Sequence, residues 1–181
     1  GISKDAWNRY AERGNWYYDV AASGFKYNLS DIQSSLGIPQ LRKLEWFTRK
    51  RAHIARRYSE AFSQIPEIQI PSNGNDCTHA WHLYALRLNL DRLNIDRAEF
   101  IRLLRDKNIG TSVHFIPVPL HTYFAPYADL PQNQCPRALQ LYPRLISLPL
   151  YPAMTGEQVD YVIESVRDIA FAARKTPITG A

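Results

Sequence analysis

Residues 24–47 read GFKYNLSDIQSSLGIPQLRKLEWF. A polar triplet, Lys26-Tyr27-Asn28, stands just ahead of Ser30-Asp31-Ile32-Gln33. In that tetrad a serine hydroxyl can accept from an orphan helix N–H while the glutamine side chain reaches back to the serine amide, so a helix begins here. The spacing of Ile32, Leu36, Leu41, Leu44, Phe47, Tyr58 and Phe62 approximates one helical stripe and predicts a helix from about Asp31 to about Phe62. Pro39 falls inside it; proline removes a backbone donor and crowds the preceding turn, so a kink is expected there.

The same device marks two later starts, Asp96-Arg97-Ala98-Glu99 and Thr155-Gly156-Glu157-Gln158. They predict helices over roughly Arg97–Lys107, with Phe100, Leu103 and Leu104 inward, and Gly156–Ala173, with Val159, Val162, Ile163, Val166 and Ile169 inward. A short helix is expected over Pro136–Leu141, proline being suited to its first turn. Strands are predicted over Trp81–Leu90 (His82, Tyr84, Leu86 and Leu88 on one face), Thr111–Ile116 and Leu145–Leu150. The order describes a small sheet covered by helices. Pattern alone leaves parallel and antiparallel pairing open.

Length and composition set the frame. A chain of 181 residues, 45% hydrophobic and 22% charged, can bury a core without disulfide or metal. Its apolar runs are too short to cross a bilayer. Two cysteines, Cys77 and Cys135, make no disulfide framework, and with no charged-then-apolar opening run a reduced, cytoplasmic setting is expected. The aromatic-rich start (Trp7, Trp16, Tyr17, Tyr18) lacks a clear period and reads as a surface for something else, a cut inside a larger protein.

Three clusters invite chemistry. Cys77-Thr78-His79-Ala80-Trp81-His82 has half the ligands of a zinc site but no CxxC knuckle, so buried thiols and a packed histidine are the preferred reading. Arg42-Lys43, Arg49-Lys50 and Arg56-Arg57 recur every seven residues and form one basic helix stripe in a chain of net charge +5. No aromatic side chains interleave with these cations as stacking platforms would, so a solvated face is preferred over a nucleic-acid surface. In His114-Phe115-Ile116-Pro117-Val118-Pro119-Leu120-His121-Thr122-Tyr123, a histidine ends a predicted strand. Two prolines then hold the chain extended toward a second histidine and an aromatic cluster. From chemistry alone this is equally a rigid connector and a site.

Taken together, GFKYNLSDIQSSLG with its basic helix, HAWHLYALRL, GTSVHFIPVPLHTYF and LISLPLYPAMT resemble, in order, the C-terminal portion of the DegT/DnrJ/EryC1/StrS family. These are pyridoxal-phosphate-dependent aminotransferases acting on nucleotide-linked keto-sugars. The KYN form is similar to members that aminate a 4-keto position. The resemblance implies an α+β domain (α/β by some schemes), a small, mainly antiparallel sheet under helices, as in the C-terminal domain of a fold-type-I aminotransferase. Residues 1–28 would join a large cofactor domain outside this sequence, and 29–181 would form the small domain. It further implies a homodimer in which Asn28 reaches the cofactor phosphate of the other subunit. Lys26, Tyr27, His114, His121 and Tyr123 would approach the sugar nucleotide, with glutamate as amino donor. No metal, nucleic acid or membrane is implied.

Two departures stand out. Family members carry the cofactor lysine in a serine- or threonine-rich strand before a glycine-rich turn. Lys4, Lys26, Lys43, Lys50, Lys107 and Lys175 all lie in other contexts, so no catalytic residue is expected in this chain. Pro39 sits where relatives commonly continue an unbroken helix. A dehydratase using the same cofactor and a basic nucleic-acid-binding module remain as alternatives.

Overall fold

The computed structural model describes residues 19–72, 74, 76–124 and 135–175. The chain divides into two compact units, Gly1–Lys43 and Leu44–Ala181. The aromatic residues of the predicted docking start, Trp7 to Tyr18, lie outside the described residues.

Helix α1 spans Asp31–Phe62 and passes Pro39 without a break in its assignment. Its start is the expected box: the Gln33 amide donates to Ser30 Oγ (3.3 Å) and the Ser30 amide to Gln33 Oε1 (3.0 Å). The apolar stripe divides along its length. Tyr58 and Phe62 are fully buried, whereas Ile32, Leu36, Leu41 and Leu44 are exposed, which corrects the expectation of one continuous core face.

The second unit holds the sheet. Strands β1 (Ile68–Gln69), β2 (Tyr84–Leu88) and β3 (Leu145–Leu148) run in the order β1-β2-β3, both pairings antiparallel. Ala85 faces Ser147 and Leu86 faces Ile146. Alternation places Tyr84, Leu86 and Leu88 in the core while Ala85 and Arg87 are half-buried. The predicted strand over Trp81–Leu90 is therefore shorter at both ends, and His82 is exposed rather than inward. Its start is displaced because Trp81 takes a left-handed backbone (φ 47°) that no strand continues. β1 has too few residues to carry a period and was not expected.

Thr111–Ile116 is not a strand. It contributes one antiparallel bridge, Ser112 to Ser147, on the edge of β3 that β2 leaves open. Both Ser112–Ser147 backbone bonds form (3.2 and 2.8 Å), and the chain then turns away toward Pro117.

Helices α2 (Arg97–Asp106), α3 (Pro136–Leu141) and α4 (Gly156–Ala172) match the expected segments closely. Asp96 caps α2 by accepting from the Glu99 amide at 2.8 Å, and Thr155 with Gln158 completes a full capping box on α4. α2 stops at Asn108, which takes the left-handed conformation (φ 61°) that asparagine tolerates. Phe100 and Leu104, with Val159, Val162, Val166 and Ile169, pack against β2 and β3 around Tyr58 and Phe62. Each such side chain stabilises the fold by roughly 1.5–3 kcal/mol relative to exposure. The rings of Tyr58 and Tyr84 meet edge-on at 5.1 Å.

Candidate functional site

Ser147 is the polar residue of β3. Ile146 and Leu148 point to the core, so alternation turns Ser147 to the opposite face, yet it is only 5% exposed. The segment bridged through Ser112 covers that face. It also places His114, whose Nδ1 lies 2.9 Å from Ser147 Oγ. No other side-chain partner of Ser147 is found among the described residues. Either atom can be the donor; with the hydroxyl donating to Nδ1, the imidazole proton lies on Nε2. In that tautomer the half-buried His114 offers an N–H donor on its far side. Its ring packs edge-on against Phe115 (4.6 Å). Neighbouring Thr111 Oγ1 is buried with no hydrogen-bond partner among the described residues.

The loop beyond is less extended than its prolines suggest. Pro117 is extended (φ −57°, ψ 136°), but Val118–Leu120 closes a 3₁₀ turn, with the His121 amide donating to Val118 O at 3.1 Å. Such a turn advances about 2 Å per residue against about 3.3 Å in a strand, so the path from His114 to His121 is shortened. His121 is exposed, and Tyr123 (71% exposed) meets Phe124 edge-on at 5.2 Å. The predicted cluster member Tyr127 lies outside the described residues.

Lys26, Tyr27 and Asn28 belong to the other unit. All three are exposed and precede α1; Tyr27 packs on Phe25 (5.8 Å between rings). The Asn28 carboxamide makes no hydrogen bond to a described residue. Beside the helix N-terminus, with Lys26 near it in sequence, this carboxamide suits a phosphate oxygen, although Asp31 in the first turn opposes an anion. The residues present therefore fit the phosphate end of pyridoxal phosphate. Of the lysines, Lys107 pairs with Asp168 (3.4 Å), Lys175 donates to Leu90 O (3.0 Å) and Lys50 lies over the Trp46 ring (5.9 Å). Lys26 and Lys43 are exposed and Lys4 lies outside the described residues.

The cysteine–histidine cluster differs from its preferred reading. Cys77 is exposed and Cys135 half-buried, not core thiols. His79 is exposed too, but its Nδ1 accepts from the Trp81 amide at 2.8 Å, with the rings 4.2 Å apart. Among the described residues no group of three metal-ligating side chains converges, and no described helix is long and apolar enough to cross a membrane.

Ser147 and Ser112 escaped sequence reasoning. The available signal was a lone serine inside an apolar strand run, LISL, which marks a face covered by something polar.

Among the described residues, the three-stranded antiparallel sheet with its four α-helices is an α+β arrangement like part of the fold-type-I sugar aminotransferases. The model of the DegT/DnrJ/EryC1/StrS aminotransferase family matches residues 1–167, and the chain belongs to that family. The family depends on pyridoxal phosphate. Over 174 residues the chain is 47% identical to the spore coat polysaccharide biosynthesis protein SpsC of Bacillus subtilis (strain 168), covering 96% of this chain and 45% of SpsC. The chain thus spans less than half the length of the curated relatives it matches. In structure it is similar to Spr1654 from Streptococcus pneumoniae, described as a sugar aminotransferase, in its PMP form: TM-score 0.76, 29% identity, 95% of this chain and 42% of that one. The PLP form of the same protein gives 0.75 at 27% identity, covering 93% and 42%. S. venezuelae DesV gives 0.74 at 26% identity, covering 91% and 42%.

Proposed function

We propose that this chain is the C-terminal portion of a homodimeric, cytoplasmic aminotransferase that moves an amino group from glutamate to a nucleotide-linked 4-keto-sugar for polysaccharide or amino-sugar synthesis. The observation that carries the reading is the anchored His114. A buried serine holds its ring, and with the serine hydroxyl as donor an N–H donor is left where a loop leaves the sheet. Such a donor suits a sugar hydroxyl or a diphosphate oxygen. His121 and Tyr123, exposed farther along the loop, would engage the same elongated ligand, and Lys26 and Tyr27 are the further residues proposed to bind the sugar nucleotide.

Bound pyridoxal phosphate supplies the electron sink and carries the amino group. Asn28 would donate its amide N–H to the phosphate across the dimer, with Lys26 adding charge. The lysine that moves protons belongs, on this reading, to the part of the protein that precedes these residues. Residues 1–28 connect to that part, and 29–181 form the small domain.

The test is kinetic and uses the longer protein. His114→Ala and His121→Ala should each raise KM for the sugar nucleotide much more than KM for glutamate. Equal damage to both substrates, or activity restored by zinc, would overturn the assignment. Release of water instead of amino transfer would identify a dehydratase. The 181-residue chain mixed with pyridoxal phosphate should retain no cofactor after dialysis; a stable, stoichiometric visible band mapped to one lysine would contradict the division of labour.

A further inference from the structure

The basic stripe of α1 is not only a solvated face. Arg49, His53 and Arg56 line one wall of an open cavity of about 980 Å³ in the second unit. Arg49 and Arg56 are seven residues apart, close to two helical turns or about 10.5 Å of rise, with His53 between them on the same side. Ile70, Ser72 and Trp81 are among the other lining residues, and none of the described residues that line it is acidic.

The cations are available. Arg49 pairs with Glu45 (2.7 Å), but both side chains are widely exposed, at 69% and 80%. Water screens such a pair, and a ligand anion can displace the carboxylate. The guanidinium of Arg56 donates to His53 Nδ1 across 3.5 Å. That contact leaves the His53 proton on Nε2, a third donor.

One lining residue, Trp81, is held in an unusual conformation. Trp81 has φ 47°, a region a bulky residue rarely occupies. Arg51 donates to the carbonyls of Trp81 (3.5 Å) and His82 (3.4 Å), and the Trp81 amide is taken by His79. Strained backbone held from both sides clusters at binding sites, because the surrounding contacts must over-determine it.

We propose that this cavity binds a phosphate-bearing small molecule. Arg49, Arg56 and His53 would grip a diphosphate, and the Ser72 hydroxyl, also in the lining, would donate to it. Guanidinium groups match phosphate oxygens in pairs, and a cleft with one sign of charge concentrates the anion. Ile70 and the edge of Trp81 give an apolar surface for whatever the phosphate carries. This inference does not depend on the aminotransferase reading.

The experiment is a calorimetric titration of the 181-residue chain at low salt with pyrophosphate, inorganic phosphate and adenosine diphosphate in separate arms. Pyrophosphate should saturate one site. Arg49→Gln and Arg56→Gln should each weaken it by roughly tenfold or more, a typical effect of losing a charge-assisted contact. Arg105→Gln, at an exposed position of α2, removes the same charge elsewhere and should change affinity less than about twofold. Adenosine diphosphate equal to pyrophosphate would identify the diphosphate as the recognised group. Tighter binding of the nucleotide would add the apolar wall. Equal losses in all three variants would reduce the effect to net charge and overturn the site, as would the absence of saturable binding at about 1 mM of every probe. Because Arg49 and Arg56 are exposed, the variants should melt with the unmodified chain, and a matched Tm excludes misfolding as the cause of any loss.

Discussion

Ser147 Oγ and His114 Nδ1 stand 2.9 Å apart, beside the Ser112–Ser147 bridge, where backbone bonds in both directions stitch the loop segment to the sheet. One serine therefore performs two tasks: its main chain sets the register of the segment and its side chain holds the imidazole by a hydrogen bond. Ser147→Ala keeps the first and removes the second. It should cost about 1 kcal/mol of stability and release the tautomer. Nitrogen-detected NMR of the histidine ring reads this directly. A dominant Nε2–H form should become a mixture in the variant, and an unchanged tautomer ratio would break the proposed link.

Glu67 is a carboxylate only 2% exposed, gripped by Arg174 through two bonds of 2.9 Å. The Arg174 guanidinium holds its pKa below the ordinary 4.5. Its contribution to stability is thus present above pH 4.5 and fades as pH falls through the lower folded value. Melting curves between about pH 7 and pH 3 should show Tm falling below about pH 4.5. Glu67→Gln, lower in Tm at neutral pH, should show a shallower acid slope. Parallel slopes in the two proteins would place the acid sensitivity elsewhere.

Tyr58 and Tyr84 respond at the other end of the scale. Burial pushes Tyr84 up to about 12, and burial first, then the neighbouring Tyr151 and Tyr84, lifts Tyr58 further above its ordinary value. Their hydroxyls are engaged, Tyr58 donating to Pro149 O (2.9 Å) and Tyr84 meeting Ser59 Oγ (3.0 Å). A raised folded pKa means stability that is intact below pH 10 and declines as pH rises past it. Ultraviolet titration should show these two rings ionising late, together with unfolding. Complete ionisation of all 11 tyrosines near pH 10 in a folded chain would refute their burial.

Asn28→Ala in the longer protein should weaken cofactor retention by roughly ten- to a hundredfold while leaving the fold intact, the expected loss of one charge-assisted amide–phosphate bond. A competing role is shaping the turn ahead of Ser30, where asparagine is also at home. Unchanged cofactor affinity with a lowered Tm would support that role.

The helices of this protein were legible as strings. Ser30/Gln33, Asp96/Glu99 and Thr155/Gln158 form their caps as spaced, because a capping bond closes within four residues and needs nothing from the rest of the chain. The inward faces of α2 and α4 follow for the same reason: a 3.6-residue period is local. The resemblance to a family also lay in the residues themselves, in the order of four motifs. What lay beyond the string is what joins distant residues. Ser147 meets His114 across 33 positions and Glu67 meets Arg174 across 107, and no local period encodes either pairing. Thr111–Ile116 has strand-forming residues, yet only Ser112 finds a partner on the edge of β3. The apolar stripe of α1 reads as continuous, but burial depends on what packs against it, and among the described residues the buried members of the stripe, Tyr58 and Phe62, lie in its C-terminal half. The basic repeat carried a charge and a spacing; the wall formed by Ile70, Ser72 and Trp81 turned it into a cavity.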